Sequence, residues 1–400
     1  MREFVLENNI KVCVKQNKNT PRIALTLNFL VPEPEKYAGE YSLICRLLLK
    51  GTKKYSSEEL AAILDENAIE LYADMKSDYL RFRLICLNED FELALSILND
   101  IIQNSVFEEF VKEREKMKGE LVAELDSAKV RLSDLFTETI YKNHFYGHGY
   151  TKTLAEIDKV SHEDIINSYK NILNNSKKTA ALAGDTDGKI LNKYLGKIPP
   201  SSEMVSDAEK PAIPAQEYTE IIKSDANQAQ ILQGWMVPAI GEEDYPALML
   251  LNIILGASGL SSRLFRELRE KKGLAYTVRT SYDIHLKSAV FSIYIGTEPS
   301  NIKTSIDGFK EEIKKIKDTL IDEEELENAK NNWMGKQQFI SETNSQQANT
   351  AAYYAIMGKP FDYKSEIIQK IKSVTAEQIQ SCVRKYFTEN YVLAVIKPQA

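Results

Sequence analysis

Apolar and polar residues alternate with a period of two in several short stretches of the chain. The clearest are YLRFRLICL at 79–87 and AVFSIYIGT at 289–297, and the opening MREFVLENNIKVCVKQ alternates in the same way. Such a period puts successive side chains on opposite faces, so these stretches are expected to be strands. Two continuous apolar runs, TAALAG at 179–184 and YVLAVI at 391–396, are expected to close each half as further strands. Helical patterns lie between them. SSEELAAILDENAIELYA at 56–73 reads as one, and Ser161 and Thr375 stand where helix N-caps belong.

The pattern occurs twice. RIALTLNFLVPEPEKY precedes a helical stretch in the first half and QAQILQGWMVPAIGEEDY does so in the second, so Val31 and Pro32 answer Val237 and Pro238. Further on, SVFEEFVKEREK answers TLIDEEELENAK, and IDKVSHEDI answers IKSVTAEQI. The offset grows between the first match and the later ones, which implies a duplication with small insertions. Strands and helices mixed within each copy predict an α+β fold of two homologous domains, each a mostly antiparallel sheet with helices packed on it. The segment PPSSEMVSDAEKPAIPAQE is rich in Pro, Ser and acidic residues and has no period. It is expected to be a linker, giving an N-terminal domain at 1–198, a linker at 199–217 and a C-terminal domain at 218–400.

Composition narrows the function classes. A chain of 400 residues supports two or three cores, and 43% hydrophobic with 27% charged residues is ordinary for a globular protein. The formal charge of -7 argues against nucleic acid as the main partner, since phosphate binding needs a basic face. No stretch is long and apolar enough for a membrane span, and the N-terminus lacks a signal-peptide core, so no membrane partner and a cytoplasmic location are expected. Cys13, Cys45, Cys86 and Cys382 are scattered in apolar runs and are expected to be buried free thiols. His144 and His148 are the only histidines close together, but Gly147 and Gly149 point to a turn rather than a metal-binding helix. His162 and His285 have no evident ligand partner. Neither a GxSxG elbow nor a phosphate loop is present.

Two motifs carry a resemblance. GEYSLICRLLLKGT at 39–52 resembles the zinc-site helix of the pitrilysin/insulinase metallopeptidases, inverzincins that include the mitochondrial processing peptidases, where it reads approximately GLAHFLEHMLFKGT. In that family HxxEH puts two zinc-binding His on one helix face, with the Glu as general base. Registered on Gly39 and Lys50-Gly51-Thr52, these positions are here Ser42, Cys45 and Arg46. Ser is a poor ligand, Arg is a permanent cation, and Cys45 alone cannot hold zinc. The resemblance makes Glu113 and Glu120, in EREKMKGE, the retained acidic positions, with Glu120 at the third ligand. No metal or cofactor is therefore expected in this chain. If Arg46 stands in for the ion, it should pair with Glu120 or Glu113, because a buried carboxylate needs a partner.

The second motif, LGASGLSSRLFRELREKKGLAYTV at 255–278, is similar to the family's second-domain signature. There, an Arg and a Tyr seven residues apart assist the zinc site by binding substrate carbonyls and the oxyanion. Here they are Arg269 and Tyr276. Gly256 and Gly259 are expected to form a flexible turn that contacts substrate. The resemblance covers nearly the whole chain and implies the layered LuxS/metallohydrolase-like fold. It further implies a zinc-less subunit that pairs with a homologous HxxEH-bearing chain, with zinc on that partner, in a heterodimer degrading or processing unfolded peptides. Two other readings remain: an inactive pseudo-peptidase acting as a scaffold or peptide-binding homodimer, and an enzyme with an unrelated metal site built from Cys45, Glu113 and Glu120.

Overall fold

Eleven strands form among the described residues of a computed structural model of the chain, which covers all but residues 204–207, 224–225 and 400. β1 (Arg2–Val5), β2 (Lys11–Gln16), β3 (Arg22–Leu30), β4 (Glu70–Met75), β5 (Tyr79–Leu87) and β6 (Lys177–Gly184) build one sheet. Its order is β1-β2-β6-β3-β5-β4. β7 (Glu217–Ile222), β8 (Ala229–Val237), β9 (Ala275–Ile284), β10 (Ala289–Thr297) and β11 (Val392–Lys397) build a second, in the order β7-β11-β8-β10-β9. With β1 set aside, the two orders correspond strand for strand. In each sheet one pair is parallel, β2 with β6 and β7 with β11, and the rest are antiparallel. The fold is α+β with two homologous, mostly antiparallel sheets, as the duplicated pattern predicts. Ser161 and Thr375 both close capping boxes, with Asp164 and Gln378 as the reciprocal partners.

The alternating stretches 79–87 and 289–297 form β5 and β10 residue for residue. The stretch 56–73 departs from the single helix expected of it. Its helix runs only over Ser57–Glu66, Asn67 bonds back to the Ile63 carbonyl, and Ala68 adopts a φ of 48°. That left-handed residue turns the chain, and Glu70 onward pairs with β5 as β4. Ile69 and Tyr72 favour a pleated surface, and an available partner strand settles the competition. Of the expected linker 199–217, residues 204–207 lie outside the description; the remaining residues before Glu217 form neither helix nor strand. No helix among the described residues is long and apolar enough to cross a membrane.

The chain divides into two compact units: Met1–Glu120 with Lys152–Ala208 and Gln338–Lys364, and Leu121–Thr151 with Glu209–Gln337 and Ser365–Ala400. Strands follow the two halves of the sequence, whereas two helical segments cross over. In the first unit the helix Asn344–Ile356 lies on β3 and β6, its Ala348, Ala351, Ala352 and Ala355 meeting Ala24, Ala183, Cys13 and Ala181. Small residues on both sides let backbone approach backbone. In the second unit the helix Ala128–Ile140 lies on β8 and β11 and inserts Phe136 over Gly234, where an added Cβ would stand 2.5 Å from the ring. Complementary volume selects these pairings.

Lys178, 1% exposed on β6, is enclosed without a carboxylate partner among the described residues. Its ammonium donates to the carbonyls of Ser176 (3.2 Å) and Pro200 (2.8 Å) and lies 5.5 Å from the Phe29 ring centroid. Burial pulls its pKa down from 10.5 to about 8. The unfolded chain therefore holds this proton to higher pH than the folded one, and Lys178's contribution to stability rises as pH climbs through that window. Between pH 7 and 10.5, urea midpoints should show the wild type gaining about 3 kcal/mol relative to K178M. A constant difference would refute the assignment.

Candidate functional site

The short helix Glu40–Leu48 is started by side chains rather than by its own N-cap. Gly39, at φ 88°, has no capping side chain, so the Glu35 carboxylate accepts from the amides of Gly39 (3.1 Å) and Tyr41 (3.1 Å). Leu43, Ile44, Leu47 and Leu48 are buried and leave Ser42 and Arg46, one turn apart, on a half-buried face. Cys45 is buried, and burial raises its thiol well above the ordinary range, so it stays protonated at neutral pH.

The helix Phe110–Leu125 presents Glu113 and Glu120 two turns apart. Arg46 donates through Nη2 to Glu120 Oε2 and holds that carboxyl below the usual carboxylate range. Glu113, 3% exposed, instead takes Lys50, whose Nζ lies 3.1 Å from Oε1. Two ion pairs thus occupy the place the resemblance assigns to zinc. Ser42 is a poor zinc ligand, the buried Cys45 thiol alone cannot hold the ion, and Arg46 puts a fixed cation where the ion would sit. No group of three or more His, Cys, Asp or Glu able to hold a metal is found among the described residues, so the alternative site of Cys45, Glu113 and Glu120 is not assembled.

The pairs differ in consequence. Glu120 keeps 46% of its side chain exposed, so R46A should cost no more than about 1 kcal/mol in urea unfolding. K50M strands a buried carboxylate and should cost about 3 kcal/mol or more. Equal losses in the two variants would contradict this distinction. The sequence reading missed Lys50, although its place four residues after Arg46 was a signal that both acids could be paired.

In the second unit the expected flexible turn is in large part a π-helix. Ile253–Ala257 is π-helical and holds Gly256 buried, packed so closely that a Cβ would stand 2.5 Å from the Thr280 amide. Gly256 is therefore a packing glycine, which corrects the flexible-turn expectation. Gly259, at φ 75° with open space around it, does form an exposed turn, followed by exposed Leu260. A second π-helix, Phe265–Lys271, carries Arg269. Both π-segments pack on β9, and such segments concentrate at functional sites.

Arg269 and Tyr276 come together. The guanidinium Nη1 donates to the Tyr276 carbonyl at 2.6 Å, and its carbon lies 4.8 Å from the Tyr276 ring centroid and 4.6 Å from that of Phe265. The Tyr276 side chain is 78% exposed. No other hydrogen bond of either side chain is found among the described residues, which leaves guanidinium donors and a phenol for a ligand. Phe265 escaped the sequence reading, although it stands four residues before Arg269.

His144, His162 and His285 make contacts within the fold. Phe145–Gly147 is a 3₁₀ turn, so His144 and His148 share no helix face; His144 Nδ1 accepts from the Tyr146 amide and Nε2 donates to the Glu209 carbonyl. His285 stacks on Tyr146, and burial, then His144, push its imidazole down to about 4. All four cysteines are free and buried.

Comparison with known proteins places the chain in a family. The family description "Insulinase (Peptidase family M16)" matches residues 16–157, and "Peptidase M16 inactive domain" matches residues 159–333. The "Uncharacterized zinc protease YmxG" of Bacillus subtilis is 26% identical over 407 residues, covering 100% of this chain and 98% of its own. The "Non-peptidase homolog YmxG" of Helicobacter pylori is 24% identical over 87% of this chain and 82% of its own. A solved peptidase M16 inactive domain from Pseudomonas fluorescens superposes with a TM-score of 0.88 at 18% identity, covering 100% of this chain and 98% of its own. A protease from Helicobacter pylori gives 0.87 at 20% identity, covering 99% of both chains. The chain belongs to the insulinase-type (M16) peptidase family.

Proposed function

We propose that this chain is the zinc-free subunit of a two-chain metalloendopeptidase that degrades or processes unfolded peptides. A homologous partner with an intact HxxEH motif holds zinc and activates water. This chain contributes Arg269 and Tyr276, whose guanidinium and phenol donate to substrate carbonyls and to the oxyanion that forms as water attacks. The turn at Gly259 contacts substrate beside them. The observation that carries the reading is an asymmetry: Arg46 is bonded to Glu120 where a ligand should be, while Arg269 and Tyr276 remain assembled with donors to spare. Decay alone gives no reason to keep one motif and close the other.

Recovery of the protein from its native lysate, with mass spectrometry of whatever co-purifies in equal amount, tests the reading. The expected companion is a chain of similar length with HxxEH and a downstream Glu. Recovery of only copies of this chain would overturn it in favour of a second reading, a pseudo-peptidase scaffold or peptide-binding homodimer. The Arg46–Glu120 and Lys50–Glu113 pairs favour that alternative to the extent that they neutralise the old metal position.

A further inference from the structure

Resting on the proposed role of Arg269, we infer that Phe265 is a positioning residue for it: the Phe265 ring holds the guanidinium in its working orientation. An exposed arginine carries much rotamer freedom, and that freedom must be lost before it can aim donors at a developing charge. Here the loss is met in advance. Phe265 is itself buried, so its ring is a fixed surface, and it sits one turn before Arg269 on the same π-helix. The guanidinium carbon lies 4.6 Å from that ring and 4.8 Å from the Tyr276 ring, within cation–π range of both.

The bond from Nη1 to the Tyr276 carbonyl fixes the remaining rotation. It also ties Arg269 to the backbone of the strand that carries the second donor. The π-helical segment contributes as well. The Lys272 amide bonds to the Glu267 carbonyl at 3.2 Å and the Leu274 amide to the Leu268 carbonyl at 2.8 Å, which brings the chain directly into β9 and Tyr276 under Arg269. Leucine at position 265 would keep most of the buried volume and lose the aromatic face. Tyrosine would keep both.

The test is a double-mutant cycle on the purified two-chain assembly, with peptide hydrolysis as the readout. In the wild-type background F265L should lower kcat about tenfold with KM little changed, and F265Y should restore it. In an R269A background F265L should have no further effect. F265L at the wild-type rate, while R269A is slow, would overturn the positioning role and leave the proposed function standing. An equal F265L loss in both backgrounds would also overturn it, by showing a general effect on the fold. If R269A itself runs at the wild-type rate, the proposed function fails and this inference with it.

Discussion

In the proposed two-chain assembly, R269A should lower kcat/KM by about 10²- to 10³-fold, the usual cost of removing one preorganised donor to an oxyanion. The loss should fall mainly on kcat, because charge on the substrate oxygen develops only as water attacks. Y276F, which removes the phenol donor and keeps the ring over the guanidinium, should cost less, about tenfold. The fold should tolerate both changes: Tyr276 is largely exposed, and Arg269 forms no ion pair among the described residues. The decisive comparison is therefore between activity and thermal unfolding. Rates within twofold of wild type for both variants would remove Arg269 and Tyr276 from the mechanism and favour the scaffold reading.

S42H/R46H, with buried Cys45 left in place, should turn a chain with no zinc-ligand set into one that binds about one zinc ion. Positions 42 and 46 lie on one half-buried face of the helix Glu40–Leu48, one turn apart, as two imidazoles require. The Arg46 side chain already reaches Glu120, so an ion held by a shorter imidazole at position 46 would sit near the present guanidinium, within reach of that carboxylate. Replacing Arg46 leaves Glu120 partly hydrated rather than stranded, so the graft does not begin from an unstable fold. Zinc content by elemental analysis and the rise of Tm with added zinc report the result; at a thousandfold excess over Kd the gain is about 4 kcal/mol. Adding E120Q to the graft should weaken zinc binding at least about tenfold. A graft that binds no zinc would show that Glu120 does not stand at the third-ligand position.

The strands were legible because their signal is local. The alternation in 79–87 and 289–297 needs only a sheet to lie on, and it found one in both halves. The capping boxes at Ser161 and Thr375 are equally local, each spanning four residues. At 56–73 two local signals competed, and pairing with the neighbouring β5, which lies outside that stretch, decided for β4 from Glu70 onward.

At the site, the amino-acid sequence alone offered residue types and a resemblance: Ser42, Cys45 and Arg46 are not a zinc-ligand set, and the resemblance implies that Arg269 and Tyr276 stand at the positions of the family's pair. Ligand chemistry belongs to residue type, so it is readable without coordinates. Only the tertiary structure decided that Arg46 takes Glu120 while Lys50 takes Glu113, that Gly256 packs in a π-helix, and that Phe265 lies against Arg269. It also decided that the helices Asn344–Ile356 and Ala128–Ile140 cover the sheet of the opposite sequence half. These are choices among partners distant in sequence with similar local patterns, and shape, charge and available volume select between them only once the chain has folded.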